Sequence, residues 1–227
     1  MNQKSKRNIG MITDVGKVRK VDEDSILAAD LSFGINSESN RFLLLAVADG
    51  MGGHAKGEEA SKIALNTIAR TVIPELNNDV EYTHLLNQGI VNANQEILDY
   101  TAQHSEAEGM GTTSVCAVVK DNDVHLANLG DSRAYVISND EIRRVTKDHS
   151  LVQNLIDKGT ITEEESRTHP QKNMITKALG AALSVESDTM RLKLASDENL
   201  LLCCDGVIAH LTDEDIHKII IDSPDPN

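Results

Sequence analysis

The chain has 227 residues, 40% of them hydrophobic and 26% charged, the balance of a globular protein with material for one large domain or two small ones. Its 22 Lys plus Arg stand against 36 Asp plus Glu, a net charge of −14 that argues against nucleic acid, and 2% aromatic content leaves few stacking platforms for a single strand. No window approaches the roughly 18 apolar residues of a membrane span, and the basic residues 1–7 carry no apolar signal stretch, so the expected address is the cytoplasm. Cys116, Cys203 and Cys204 are odd in number and sit in apolar runs, so they read as reduced core thiols. Cys203 and Cys204, being adjacent in a strand, should face opposite sides. The spacing of Cys and His offers no zinc motif.

In chain order, residues 7–13 and 25–29 read as short strands around a polar turn, and 36–40 as a loop. Residues 42–48 form a continuous apolar run of strand length, expected to be buried on both faces. After Gly57, residues Ala60, Ile63, Ala64, Thr67, Ile68 and Val72 share one helical face. A second helix is expected over about 81–104, with Leu86, Ile90, Ala93 and Ile97 as its stripe. The period then changes to strands at 112–119, 123–129 and 133–138, turning at Asp121-Asn122 and Asn139-Asp140. Residues 149–179 are helical but short and polar, with too little apolar surface for a core of their own. Within them Thr162 opens a capped helix. Strands return at 190–195 and 199–204, and Thr212 caps a last helix to about 221. Strands, helices and strands again, without strict alternation, predict an α+β fold: a largely antiparallel two-sheet sandwich covered by helices.

Three apolar runs end in an aspartate beside a glycine. Residues 42–48 lead into Asp49-Gly50, 124–129 into Gly130-Asp131, and 200–204 into Asp205-Gly206. One Asp-Gly alone is well explained as a hairpin turn. Three buried strands delivering carboxylates to one end of a sheet make an oxygen-rich cation site, which suits Mg²⁺ or Mn²⁺. A glycine beside the acid also permits a close backbone approach that a Cβ would block.

Asp49-Gly50-Met51-Gly52-Gly53-His54, followed by Gly57-Glu58-Glu59-Ala60-Ser61, resembles the metal-binding signature of bacterial protein phosphatase 2C enzymes. Arg19-Lys20-Val21-Asp22-Glu23-Asp24-Ser25 is similar to their phosphate-binding arginine and Glu-Asp pair. Gly111-Thr112-Thr113, Gly130-Asp131-Ser132-Arg133, Asp148-His149-Ser150, His169-Pro170, Thr176-Lys177-Ala178-Leu179-Gly180 and Cys204-Asp205-Gly206 follow in the family's order across nearly the entire chain. The resemblance implies a metal-dependent phosphatase acting on phosphoserine and phosphothreonine in proteins, opposing a cognate Ser/Thr kinase. It implies one domain over 1–227, a central β-sandwich flanked by helix pairs, and a mobile flap at 148–172. Two or three Mn²⁺ or Mg²⁺ ions would be held by Asp49 as the bridge, Gly50 through its carbonyl, Glu23, Asp205 and, for a third ion, Asp131. Arg19 would hold the substrate phosphate, and His54 is a candidate general acid.

Each assignment has a plainer rival. Arg19 can be a solvated loop residue, Asp131 can pair with Arg133, Asp24 can accept turn amides or reach a metal through water, and His54 can be an exposed loop histidine. The sequence also departs from the family. Asp22 stands where asparagine is usual, and Cys204 where serine is. The chain stops at 223–227, where the family continues to a Gly-x-x-Asp-Asn motif whose aspartate binds the first metal. The stop reads either as a fragment of a longer protein or as a short form with a weakened first metal site, and the latter carries the alternative expectation of a catalytically weak, phosphoprotein-binding scaffold.

Overall fold

Two long strands open the fold. β1 (Asp24–Ile35) and β2 (Glu38–Met51) pair antiparallel in a register that sets Asp24 opposite Asp49 and Ile35 opposite Glu38. The structure is a computed structural model and describes residues 8–17, 19–35, 38–52 and 56–223. Along β2 the side chains alternate between two cores. Phe42, Leu44, Ala46 and Ala48 lie in the core beneath the first two helices, while Leu43, Leu45 and Val47 face a second core. The run 42–48 is thus covered on both faces, as its unbroken apolar character required.

The covering helices are α1 (Gly57–Val72) and α2 (Tyr82–Gln103). Ala60, Ala64, Ile68 and Val72 of α1 meet Leu86, Ile90, Ala93 and Ile97 of α2, all fully buried. Glu81 caps α2 by accepting from the His84 backbone N–H at 2.7 Å. The chain then continues through β3 (Gly111–Thr112), β4 (Ser114–Lys120), β5 (Asp123–Leu129), β6 (Arg133–Ile137) and β7 (Ile142–Arg144). Two short helices follow, α3 (Leu151–Asp157) and α4 (Glu163–Thr168), and then β8 (Asp188–Lys193), β9 (Asn199–Cys203), α5 (Asp205–Ile208) and α6 (Asp213–Asp222).

One sheet has the order β1-β2-β4-β5-β8 with β3 on the end of β2; the other has the order β7-β6-β9, and every pairing is antiparallel. Val115, Ala117, Val124, Leu126 and Ala134 join Leu43 in the core between the sheets. On the far face Tyr135, Ile137 and Cys203 pack on Ile216 of α6. The layers run helices, sheet, sheet, helix, which is the α+β sandwich expected. Cys203 points to α6, while Cys204 turns toward Asp24, so the adjacent cysteines do face opposite ways.

Several local expectations are corrected. Residues 8–13 join neither sheet, although their composition suits a strand; pairing requires a partner edge, which local pattern does not reveal. The expected loop at 36–40 is shorter, because β2 starts at Glu38 and its polar residues continue the ladder with β1 beyond the apolar run. β7 and α5 lack a sequence pattern because they span only three and four residues. The capped helices are as read: Thr162 with Glu165, and Thr212 with Asp215, each form a reciprocal capping box.

Candidate functional site

The three strand-borne aspartates converge. A cleft of about 670 Å³ at one end of the sandwich is lined by Arg19, Glu23, Asp49, Gly50, Asp131 and Asp205, with Lys20, Val21, Met51, Gly52, Thr113, Asn173 and Ile175 completing its walls. β2 brings Asp49, the end of β5 brings Asp131, and the end of β9 brings Asp205, so both sheets contribute. Every metal-site residue expected from the sequence is in this cleft. His54 lies outside the described residues.

Backbone contacts hold the carboxylates in place. The Asp49 N–H donates to Thr113 Oγ1 at 3.1 Å, and the Asp49 carbonyl accepts from the Thr113 N–H at 3.0 Å and Thr112 Oγ1 at 2.9 Å. Thr113 in turn shares a 2.7 Å hydrogen bond with Ser132, beside Asp131. Glu23 is fixed through its carbonyl, which accepts from the Gly50 N–H at 3.1 Å and from Ser61 Oγ at 2.7 Å. The approach of these segments is so close that a Cβ at Gly50 would lie 2.2 Å from the Gly57 carbonyl oxygen and 2.4 Å from that of Glu23. Glycine beside the acid is therefore a packing requirement here.

Burial and crowding set the electrostatics. Burial, then the charges of Asp205 and Asp24, push the Asp49 carboxyl up to about 9. Burial, then Asp205 and Asp148, push Asp131 up to about 6. Asp24 is raised chiefly by burial, against a lowering hydrogen bond from Cys204. Carboxylates so placed repel one another unless protonated or joined by a cation, and their oxygens are the donors that hard divalent ions select. The donor set thus fits Mn²⁺ or Mg²⁺.

Arg19 stands on the cleft wall with its side chain 61% exposed, its Nη1 donating to Glu23 Oε2 at 2.8 Å. Its guanidinium is thus largely solvated and ion-paired to Glu23 at the cleft. Asp131 does not take Arg133 as its ion-pair partner. Arg133 turns instead to Asp148, through Nε at 2.9 Å and Nη2 at 2.6 Å. Thr113, Asn173 and Ile175 were not foreseen as lining residues. Thr113 carried a signal, since it lies in the Gly-Thr-Thr block, whereas Asn173 and Ile175 carried none.

Residues 24–223 match the family model described as Protein phosphatase 2C. The chain is 35% identical over 210 residues to the serine/threonine phosphatase stp of Listeria innocua serovar 6a, covering 92% of this chain and 81% of that protein. Among solved structures, serine/threonine phosphatase Stp1 from Staphylococcus aureus superposes with a TM-score of 0.79 at 36% identity, over 96% of this chain and 85% of that one. The catalytic domain of the serine threonine protein phosphatase PstP, in complex with two manganese ions, gives a TM-score of 0.76 at 32% identity, over 95% and 82% of the respective chains.

Proposed function

The chain belongs to the protein phosphatase 2C family, metal-dependent protein phosphatases, and from that premise we propose that its carboxylate cleft hydrolyses phosphoserine and phosphothreonine in proteins, opposing a Ser/Thr kinase. The observation that carries this reading is the convergence of Glu23, Asp49, Asp131 and Asp205 with Arg19 in one cleft.

Asp49 would be shared between two cations, with Glu23 and the Gly50 carbonyl holding one, Asp205 the other, and Asp131 a third. Divalent cations bound there supply the Lewis acidity that activates water and neutralises phosphate oxygens. Arg19 presents a planar, permanently charged fork to the phosphate, and Lys20 adds positive charge beside it. Val21, Met51 and Ile175 contribute apolar wall to the cleft. The chain acts as one domain, 1–227, and the stretch 148–172 serves as the flap, with Asn173 and Ile175 at its foot in the cleft wall. His54 is retained as the candidate proton donor to the leaving serine.

No described helix is long and apolar enough to cross a membrane. The free thiols Cys116, Cys203 and Cys204 agree with a reducing cytoplasm.

The test is turnover of p-nitrophenyl phosphate and of a phosphothreonine peptide with Mn²⁺ and with chelator. Mn²⁺-dependent release of phosphate from both, lost in Asp49→Asn, is expected. Binding of the phosphopeptide without turnover at any Mn²⁺ concentration would sink the reading.

A further inference from the structure

We propose that His149 is a positioning residue for the carboxylate of Asp131, acting through the backbone N–H of Gly130; the inference rests on the phosphatase reading of the cleft. His149 is buried and is not one of the cleft-lining residues, so its effect has to run through the chain it holds. It meets Gly130 twice. The His149 N–H donates to the Gly130 carbonyl at 2.9 Å, and its ring Nδ1 accepts from the Gly130 N–H at 3.0 Å. Both polar groups of the glycine before Asp131 are thus tied to one residue. On its other side Gly130, with φ at +117°, packs so closely that a Cβ would lie 2.5 Å from Thr113 Cβ. The peptide that delivers Asp131 is clamped between Thr113 and His149.

The clamp needs one tautomer. A backbone amide can only donate, so Nδ1 keeps its lone pair and the neutral ring carries its proton on Nε2. That proton faces Asp188 Oδ2, 3.2 Å from Nε2. Lys177 Nζ lies 3.3 Å from Nε2 and 3.4 Å from Asp188 Oδ1. Two donors do not bond each other, so Asp188 accepts from both and holds the ring in the form that Gly130 requires. Burial also keeps the His149 pKa below the ordinary histidine value, which favours the neutral ring. Asp188 is itself anchored from α2, where Asn87 Oδ1 accepts from the Ser187 N–H at 3.1 Å and from its hydroxyl at 2.7 Å.

Asparagine and glutamine separate the two ring nitrogens. Asparagine Oδ1 takes the place of Nδ1 and keeps an acceptor for Gly130, whereas glutamine Nε2 takes the place of the ring Nε2 and leaves the Gly130 N–H without one. In His149→Gln, kcat for a phosphothreonine peptide should fall on the order of 10-fold or more with KM within about threefold, and calorimetry should show the weakest Mn²⁺ site weakened by a similar factor. His149→Asn should stay within about threefold of wild type on each count. A merely structural role would move the two variants together, so equal values in both overturn the proposal. Nitrogen NMR of the chelator-stripped wild-type chain at about pH 7 should find Nδ1 unprotonated and Nε2 protonated, a readout that stands even if His149→Gln does not fold. A proton on Nδ1 overturns the proposal. A wild-type chain that leaves the peptide intact removes the phosphatase reading instead, and the Mn²⁺ titrations of the two variants still decide the role of His149.

Discussion

Arg133 grips Asp148 in a two-pronged ion pair, 2.6 Å from Nη2 to Oδ2 and 2.9 Å from Nε to Oδ1. The pair joins β6 to the root of the helical stretch that follows Ser150. Arg133 Nη1 also donates to the Tyr135 hydroxyl at 3.0 Å, and that hydroxyl donates to Asp213 at the start of α6 at 3.3 Å. One guanidinium thus ties the second sheet to two neighbouring elements. His149, next in the chain, accepts from the Gly130 N–H through Nδ1 at 3.0 Å and places Nε2 3.2 Å from Asp188.

Removing Arg133 leaves the buried Asp148 only the longer contact to Arg144 Nη1 at 4.0 Å. The side chains of Arg133 and Asp148 are only 18% and 7% exposed. Arg133→Ala should therefore lower stability by about 3–5 kcal/mol. Denaturant unfolding measures this, and limited proteolysis should cut within 151–172 before the rest of the variant is attacked. A loss below about 1 kcal/mol, the range of surface pairs, would show that the pair is solvated in solution.

The convergence of Asp49, Asp131 and Asp205 was legible because each follows an apolar run that only a buried strand explains. Arg19 and Glu23 were legible only as a family motif, since a polar turn has no period to read. Asp24 was the least visible. Its place in the Glu-Asp pair left a turn acid and a water-linked metal ligand both open, and the register that sets it opposite Asp49 brings the two carboxylates together. The strand expected over 7–13 failed for the complementary reason: strand pairing is non-local, so a segment of suitable composition need not find an edge. The Arg133–Asp148 pairing lay beyond reach too, because Asp131 is the nearer acid in sequence and the fold brings the farther one into line.

Acid–base behaviour follows from the crowded carboxylates. With cations stripped by chelator, Asp49 titrates near about 9 and Asp131 near about 6 in the folded chain, against ordinary carboxyl values in the unfolded chain. Between those limits the folded state binds more protons than the unfolded state. Stability therefore falls as pH rises, from the ordinary carboxyl range up through about 6 for Asp131 and about 9 for Asp49. The chelated protein should melt at higher temperature near about pH 5 than near about pH 8, and Mn²⁺ should restore most at the higher pH. Asp49→Asn should flatten the slope and raise the chelated melting temperature at about pH 8. An equal slope in wild type and variant would mean that Asp49 ionises as freely folded as unfolded.

Substrate phosphate and cation make separable demands on the site. Arg19 faces solvent across the cleft and reaches Glu23 through one nitrogen, leaving the rest of its fork for phosphate. Arg19→Ala should lower kcat/KM for a phosphopeptide on the order of 10–100-fold, the worth of charge-assisted hydrogen bonds, mostly through KM. Mn²⁺ affinity measured by calorimetry should move far less. An unchanged KM with weakened Mn²⁺ binding would make Arg19 an organiser of Glu23.

The tightest backbone approach at the site gives the sharpest structural prediction. At Gly50 an added Cβ would meet two backbone carbonyl oxygens, 2.2 Å away on Gly57 and 2.4 Å away on Glu23, and no side-chain rotation relieves either contact. Gly57 begins α1, and the Glu23 carbonyl already accepts from Gly50 N–H and Ser61 Oγ. Relief must therefore part α1 from the end of β2, or push the Arg19–Glu23 segment out of the cleft. Gly50→Ala should destabilise by about 3 kcal/mol, the upper range for overpacking, and should weaken Mn²⁺ binding even below the melting temperature. Gly34→Ala is the control, since a Cβ there meets nothing within 4 Å. It should leave stability within about 0.5 kcal/mol of wild type or raise it slightly. Thermal melting and Mn²⁺ titration of the two variants decide the matter: wild-type values for Gly50→Ala would show that the three segments can separate without harm, and that the glycine there is not required by packing.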